Sequence, residues 1–99
     1  MIKKISELTE QDKVKFMRNV KKSMLLEQGM PWDIMEPMIQ ADIDAAFDDE
    51  KFAKMDPEFA VDAAYMRREF GKKKPSIVDY MLWSAKFVTH SEYVDIGDD

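Results

Sequence analysis

Residues 76–90 read SIVDYMLWSAKFVTH, a stretch whose apolar residues recur at the three- and four-residue spacing of a helix. Ser76, followed three residues later by Asp79, predicts a capped helix over roughly 77–90. Its apolar positions form two neighbouring stripes. The first stripe contains Ile77, Val78, Met81, Ala85 and Val88, and the second contains Tyr80, Trp83 and Phe87. Asp79 and Lys86 alone mark a polar side, so the sequence predicts a helix that is apolar almost all round.

Two interpretations of this helix stay open from the sequence. It is either the central helix of a small bundle, or a helix whose second stripe contacts another molecule. The first is the preferred interpretation, and the enrichment of aromatic residues at the energetic centres of protein interfaces supports the second. Val61 and Tyr65, one turn apart, form a smaller apolar surplus on the preceding helix and are predicted to belong to the same contact surface.

Further helix signals extend outward from this stretch, and strand signals are weak because alternating β-branched runs are absent. The predicted helices run from after Thr9 to Gly29, from Pro37 onward, over a short turn around Phe52 within residues 49–55, and over 57–70 after a cap at Asp56. A start at Pro31 with a kink is the alternative for the second helix. Lys72 to Pro75 is predicted to be a loop.

The fold class predicted from these signals is all-α, a compact bundle of four main helices plus one short helix in a single domain over residues 1–99. Residues 91–99 are predicted to be an acidic tail that frays. The core stripe of the helix at 57–70 is predicted to contain Phe59, Ala63, Met66 and Phe70.

Charge is sorted along the chain. Residues 31–66, called the acidic segment below, carry ten carboxylates and two lysines, a balance of −8, within a chain of net charge −5. Residues 1–30, the opening segment, carry seven basic and four acidic side chains, a balance of +3. A net acidic protein repels phosphate, so nucleic acid and anionic membrane are not expected as direct partners.

No recognisable reaction centre accompanies this charge. The chain has one histidine, His90, and no cysteine, so nucleophilic triads and thiolate metal sites lack their groups. A calcium loop counted from Asp42 would place Phe47 where glycine is needed and Ala53 where a bidentate glutamate is needed. We therefore expect no enzyme activity, no cofactor and no metal site. The composition is that of a soluble protein and is compatible with the cytoplasm.

Asp42 is a separate prediction. The helical projection places it beside Met35 and Met38 in an apolar arc, so the sequence predicts a buried carboxylate. Its expected partner is a lysine or arginine from the first helix, or one of Arg67 and Arg68.

The function predicted from these features is non-enzymatic protein binding. The chain would act as an inhibitor or adaptor, of the type that phages encode, and would bind a basic protein surface such as a nucleic-acid-binding groove. The predicted partner-binding residues are Asp44, Asp48, Asp49, Glu50, Tyr80, Trp83, Phe87, Val61 and Tyr65.

Two alternatives belong to other functional classes. The first is a structural component that self-associates through the aromatic stripe of the last helix. The second is a helix-turn-helix regulator built from the helices at 57–70 and 77–90. The connection from Gly71 to Ser76 exceeds the usual three or four residues, and Lys86 is the only lysine or arginine of the would-be recognition helix, which weakens this alternative.

Overall fold

The computed structural model describes residues 1–97 and confirms the predicted all-α fold. Within these residues five α-helices follow one another, and a two-stranded antiparallel sheet joins the two ends of the described chain. The helices are α1 (Glu10–Gln28), α2 (Trp32–Ala46), α3 (Asp49–Ala53), α4 (Pro57–Phe70) and α5 (Ile77–Thr89), and the strands are β1 (Ile2–Lys4) and β2 (Tyr93–Asp95). Helices α1, α2, α4 and α5 are the four main helices, and α3 is the short one.

Local capping chemistry explains most helix ends. At the start of α1, the Asp12 amide donates to Thr9 Oγ1 at 3.1 Å and the Thr9 amide donates back to Asp12 Oδ2 at 3.1 Å. Gly29 ends α1 with φ of +63°, a left-handed conformation that favours glycine. At the start of α5, the Asp79 amide donates to Ser76 Oγ at 3.2 Å. These predicted boundaries are confirmed.

The start of α2 differs from the preferred prediction. The helix begins at Trp32, with Pro31 as its N-cap, and continues through Pro37. Trp32 packs against the first core cluster and lies under the Lys21 ammonium, 5.9 Å from the ring centroid. Pro37 is only the sixth residue of the helix, so its missing N–H and its ring disturb a single carbonyl, that of Asp33. Burial of the indole outweighs this local cost.

Helix α5 lies between two clusters of buried side chains. The first cluster contains Phe16, Met17, Leu82 and Ile96, and Ile77, Val78 and Met81 pack against it. The second contains Ala46, Ala63 and Met66, and Tyr80 and Trp83 pack against it. The first three turns of α5 therefore have the central position that one interpretation predicted. Its last turn, with Phe87 and Val88, is exposed.

The predicted frayed tail is wrong for residues 91–97, while residues 98 and 99 lie outside the described residues. Strand β2 pairs with β1 so that Val94 lies opposite Lys3. The Ile96 amide extends the pairing by donating to the Met1 carbonyl at 2.9 Å. Alternation along the strand turns Val94 and Ile96 inward, and Ile96 is only 2% exposed. Burial of this side chain holds the segment in place.

Two predictions about the core are also wrong. Phe59 is 64% exposed and lines a cavity between α2 and α4 instead of packing in the core. Asp42 is exposed as well and has no ion pair among the described residues. The buried carboxylate is instead Asp12, 6% exposed, which accepts a hydrogen bond from Lys3 Nζ at 3.1 Å. This ion pair ties β1 to the first turn of α1.

Candidate functional site

Asp44 and Asp48, two of the predicted binding carboxylates, have structural partners. Lys74 Nζ donates to Asp44 Oδ1 at 2.7 Å, and Gln40 Nε2 donates to the same oxygen at 3.0 Å. These two hydrogen bonds hold the pKa of Asp44 below its usual value, and the bond from Lys74 has the larger effect. Asp48 is the N-cap of α3. Its Oδ1 accepts hydrogen bonds from the backbone amides of Glu50 at 3.0 Å and Lys51 at 3.1 Å.

Asp49 and Glu50 are also paired. Arg67 on α4 donates to the Asp49 carboxylate and, at 3.1 Å, to the Ala46 carbonyl, so it fastens α4 to the end of α2. Lys54, the C-cap of α3, places its Nζ 3.4 Å from Glu50 Oε1 on that helix. The four predicted carboxylates are thus brought to one end of α2 and to α3, but the protein's own cations or amides contact each of them.

The opening segment leaves the acidic segment unneutralised. The ion pairs made by its lysine side chains within the described residues join Lys3 to Asp12, Lys13 to Glu10 and Lys13 to Asp79. Of the ten carboxylates at residues 31–66, nine are exposed and three have an ion pair in the described part of the chain. The seven without an ion pair there are Asp33, Glu36, Asp42, Asp48, Asp56, Glu58 and Asp62.

The predicted aromatic residues form one continuous chain of ring contacts across α4 and α5. Ring centroids lie 5.3 Å apart between Tyr65 and Phe87, 5.4 Å between Phe87 and Trp83, and 6.0 Å between Trp83 and Tyr80. The ring of Phe70 also contacts Trp83, with 6.4 Å between the two centroids. Offset and edge-on contacts of this kind stabilise the packing of the two helices.

The outer end of this chain of rings is exposed. Phe87 is 42% exposed, Tyr65 46% and Val61 54%, and these three residues are called the aromatic patch below. Tyr80 and Trp83 are half-buried and contact the second core cluster. The predicted stripe therefore divides into an inner part that belongs to the core and an outer part that faces solvent.

A cavity between α2 and α4 brings carboxylates and apolar side chains together. It has a volume of about 290 Å³, and its apolar wall is formed mainly by Met55, Phe59, Ala63 and Met66. Its polar groups are Asp42, Asp62 and Tyr80. Burial raises the pKa of the Tyr80 hydroxyl, and the negative charges of Asp42 and Asp62 raise it further. We call this cavity the α2–α4 groove.

Sequence reasoning missed the groove because it assigned Phe59 to the core and Asp42 to a buried ion pair. The signal available in the sequence was the closeness of each carboxylate to a large apolar residue. Asp42 and Asp62 each lie within one turn of a large apolar residue, Met38 or Phe59, and Met38 is 58% exposed.

Residues 1–97 contain no group of three or more side chains placed to hold a metal ion. His90 is exposed and ends α5 in a left-handed conformation with φ of +55°. No helix in this part of the chain combines the length and apolar character that a membrane span requires.

Comparison with known protein families, with curated proteins and with solved structures found no match for this chain.

Proposed function

We propose that the protein is a non-enzymatic binding domain that engages a basic surface of another protein. The observation that carries the proposal is the charge distribution. The acidic segment has a balance of −8, nearly all of its carboxylates are exposed, and the described side chains of the opening segment form their ion pairs elsewhere. The negative field of this segment therefore extends into solvent.

Such a field favours a basic partner in two ways. It raises the rate of encounter with oppositely charged surfaces, and it disfavours acidic competitors. A groove that binds nucleic acid is a suitable target, because carboxylates on a helical surface stand in for phosphates. Attraction between exposed charges is screened over about 8 Å at physiological salt, so binding of this kind weakens as salt is added.

The test compares two variants that have the same net charge. In the first, four unpaired carboxylates of the acidic segment become amides: Asp33, Glu36, Asp56 and Glu58. In the matched control, four exposed glutamates outside it become glutamines: Glu7, Glu27, Glu69 and Glu92. Each protein is used to capture partners from a lysate of the native host, read by mass spectrometry over a salt titration.

We expect the first variant to lose the salt-sensitive partner and the control to retain it. If both variants lose the partner to the same extent, the loss follows from the change in net charge, and this result would contradict a local binding surface. Capture that is indifferent to salt and to both variants would remove the electrostatic proposal altogether.

A second candidate function is self-association through the aromatic patch. It is favoured by the exposure of Val61, Tyr65 and Phe87 on adjoining faces of α4 and α5. Light scattering after size exclusion should then give a mass that rises with concentration and falls to the monomer in Phe87→Ser. A strict monomer across micromolar concentrations rules this function out.

The helix-turn-helix alternative is the weaker one. A recognition helix reads bases with its N-terminal residues. In α5 these residues, Ile77 and Val78, pack against the first core cluster. Binding of a labelled duplex at physiological salt would be the result that restores this alternative.

A further inference from the structure

The α2–α4 groove has a size that suits one side chain. Small-molecule and cofactor sites usually occupy about 300 to 1,000 Å³, and this cavity of about 290 Å³ lies just below that range. It is also open at Phe59, which is 64% exposed beside it. A single long side chain from a partner fills such a space and leaves the partner's backbone outside.

The wall of the groove combines two kinds of surface. Met55 and Phe59 offer apolar surface to a long aliphatic chain, and the Phe59 ring can also face a cation. Asp42 and Asp62 offer two carboxylates, and neither has an ion pair within residues 1–97. Both charges act on the Tyr80 hydroxyl, so their fields overlap inside the groove. A cation placed there would be attracted by two carboxylates at once.

We propose that the α2–α4 groove binds an arginine side chain carried on a basic segment of another protein. The guanidinium group would lie between Asp42 and Asp62, and the methylenes of the arginine would cover Met55 and Phe59. This inference rests on the proposed function. It specifies that the partner contributes an arginine side chain and that the α2–α4 groove binds it.

Arginine fits better than lysine for two reasons. Its planar group has five N–H donors, so it can bond to two carboxylates and remain stacked on an aromatic ring. Its weaker hydration also lowers the cost of entering a partly apolar cavity. A lysine ammonium is compact and strongly hydrated, and it gains less from Phe59.

The experiment uses the full chain, uniformly labelled with 15N, and follows its amide shifts by NMR. The probe is a short amphipathic helical peptide with one central arginine. Matched peptides replace that arginine by lysine or by citrulline, which is nearly isosteric and neutral. The protein variants are Asp42→Asn and Asp62→Asn, and the matched control is Glu27→Gln, an exposed carboxylate near the end of α1 that lies outside the acidic segment and does not line the groove.

We expect shifts centred on the groove, with the arginine peptide binding at least about tenfold more tightly than the citrulline peptide. Each groove variant should bind the arginine peptide about fivefold more weakly, the upper range for a partly exposed charge pair, while Glu27→Gln binds normally. A lysine peptide that binds as tightly as the arginine peptide would overturn the choice of residue.

Three other results would overturn the inference. They are an absence of groove shifts at millimolar peptide, shifts that are the same with citrulline, and groove shifts that appear on raising the protein concentration alone, which would show that a second copy occupies the groove. If any of these occurs while the partner from the host lysate is still captured with salt sensitivity and lost on neutralising the acidic segment, only the groove is refuted. If capture is insensitive to those changes, the proposed function itself has failed.

Discussion

Replacing Ile96 by alanine tests whether the chain's C-terminal segment is part of the core. The side chain is 2% exposed and packs in one cluster with Phe16, Met17 and Leu82. The substitution removes three carbon groups, which at about 0.8 kcal/mol each gives about 2.4 kcal/mol of lost transfer free energy. The cavity left behind adds to this, so we expect a total loss of about 3 to 4 kcal/mol in the free energy of unfolding.

The matched control makes the same substitution at Ile2, which is 70% exposed on the partner strand β1. Its expected cost is below about 1 kcal/mol, since only strand propensity and partial burial are lost. Thermal and urea unfolding followed by circular dichroism measure both variants. A loss of 3 kcal/mol corresponds to a fall in melting temperature of about 12 to 24 °C for a chain of this size. Equal costs at the two positions would refute the docked strand and restore the frayed tail.

Three further predictions concern helix ends and pH. Pro37→Ala should raise the free energy of unfolding by about 2 kcal/mol in urea titrations, because a proline inside a helix costs about 3 kcal/mol and its rigidity in the unfolded chain returns about 1; a loss of stability would contradict this. His90→Gly should raise the free energy of unfolding by about 0.5 kcal/mol, because glycine adopts the left-handed conformation of this position without strain. A lower melting temperature of the variant would contradict this and show that the His90 side chain makes a stabilising contact. The Thr9 amide and Lys3 lower the pKa of Asp12 from 3.8, so Asp12 contributes stability above that pH and loses it as the pH falls through its lower folded value. The Asp12→Asn variant should therefore be less stable than the unmodified protein at neutral pH, and its free energy of unfolding should fall less as the pH is lowered. If the free energies of unfolding of the two proteins fall in parallel in acid, this assignment is contradicted.

The parts of the fold that were predicted correctly depend on local chemistry. Thr9 with Asp12 and Gly29 at the other end mark α1 through hydrogen bonds and backbone angles that need no distant partner. The bounds of α4 follow in the same way from Pro57 in its first turn and Gly71 after its end. Such signals lie within four residues of the feature they control, so a single sequence contains them in full.

The errors all involve partners that are distant along the chain. The sequence favours Pro37 as the start of α2, because the contact of Trp32 with the first core cluster is not visible in it. The pairing of β1 with β2 joins the two ends of the described chain, and each strand has only three residues, too few for periodicity to register. The buried ion pair of Asp12 is not visible in the sequence, since Lys3 reaches it from β1.

The predicted binding carboxylates show the same limit at the level of function. Periodicity correctly indicated that the acidic segment is helical and solvent-facing, but it could not show which carboxylates Arg67 and Lys74 would bind. A charge reversal at Asp44 or Asp48 would therefore break the Lys74 ion pair or the α3 cap, and loss of partner binding would be confounded with loss of structure.

Substitutions in the α2–α4 groove avoid this difficulty. Asp42 and Asp62 have no ion pair in the described chain, and they lie on the middle turns of α2 and α4, away from the caps. Conversion to asparagine removes charge and keeps shape. Carboxylates without an ion pair in the described chain are also the ones whose desolvation a partner must compensate, so a cation from the partner contributes most at these side chains. Binding energy should for this reason come from the carboxylates without an ion pair, including the two in the groove, while Asp44 and Asp49 contribute mainly to the fold.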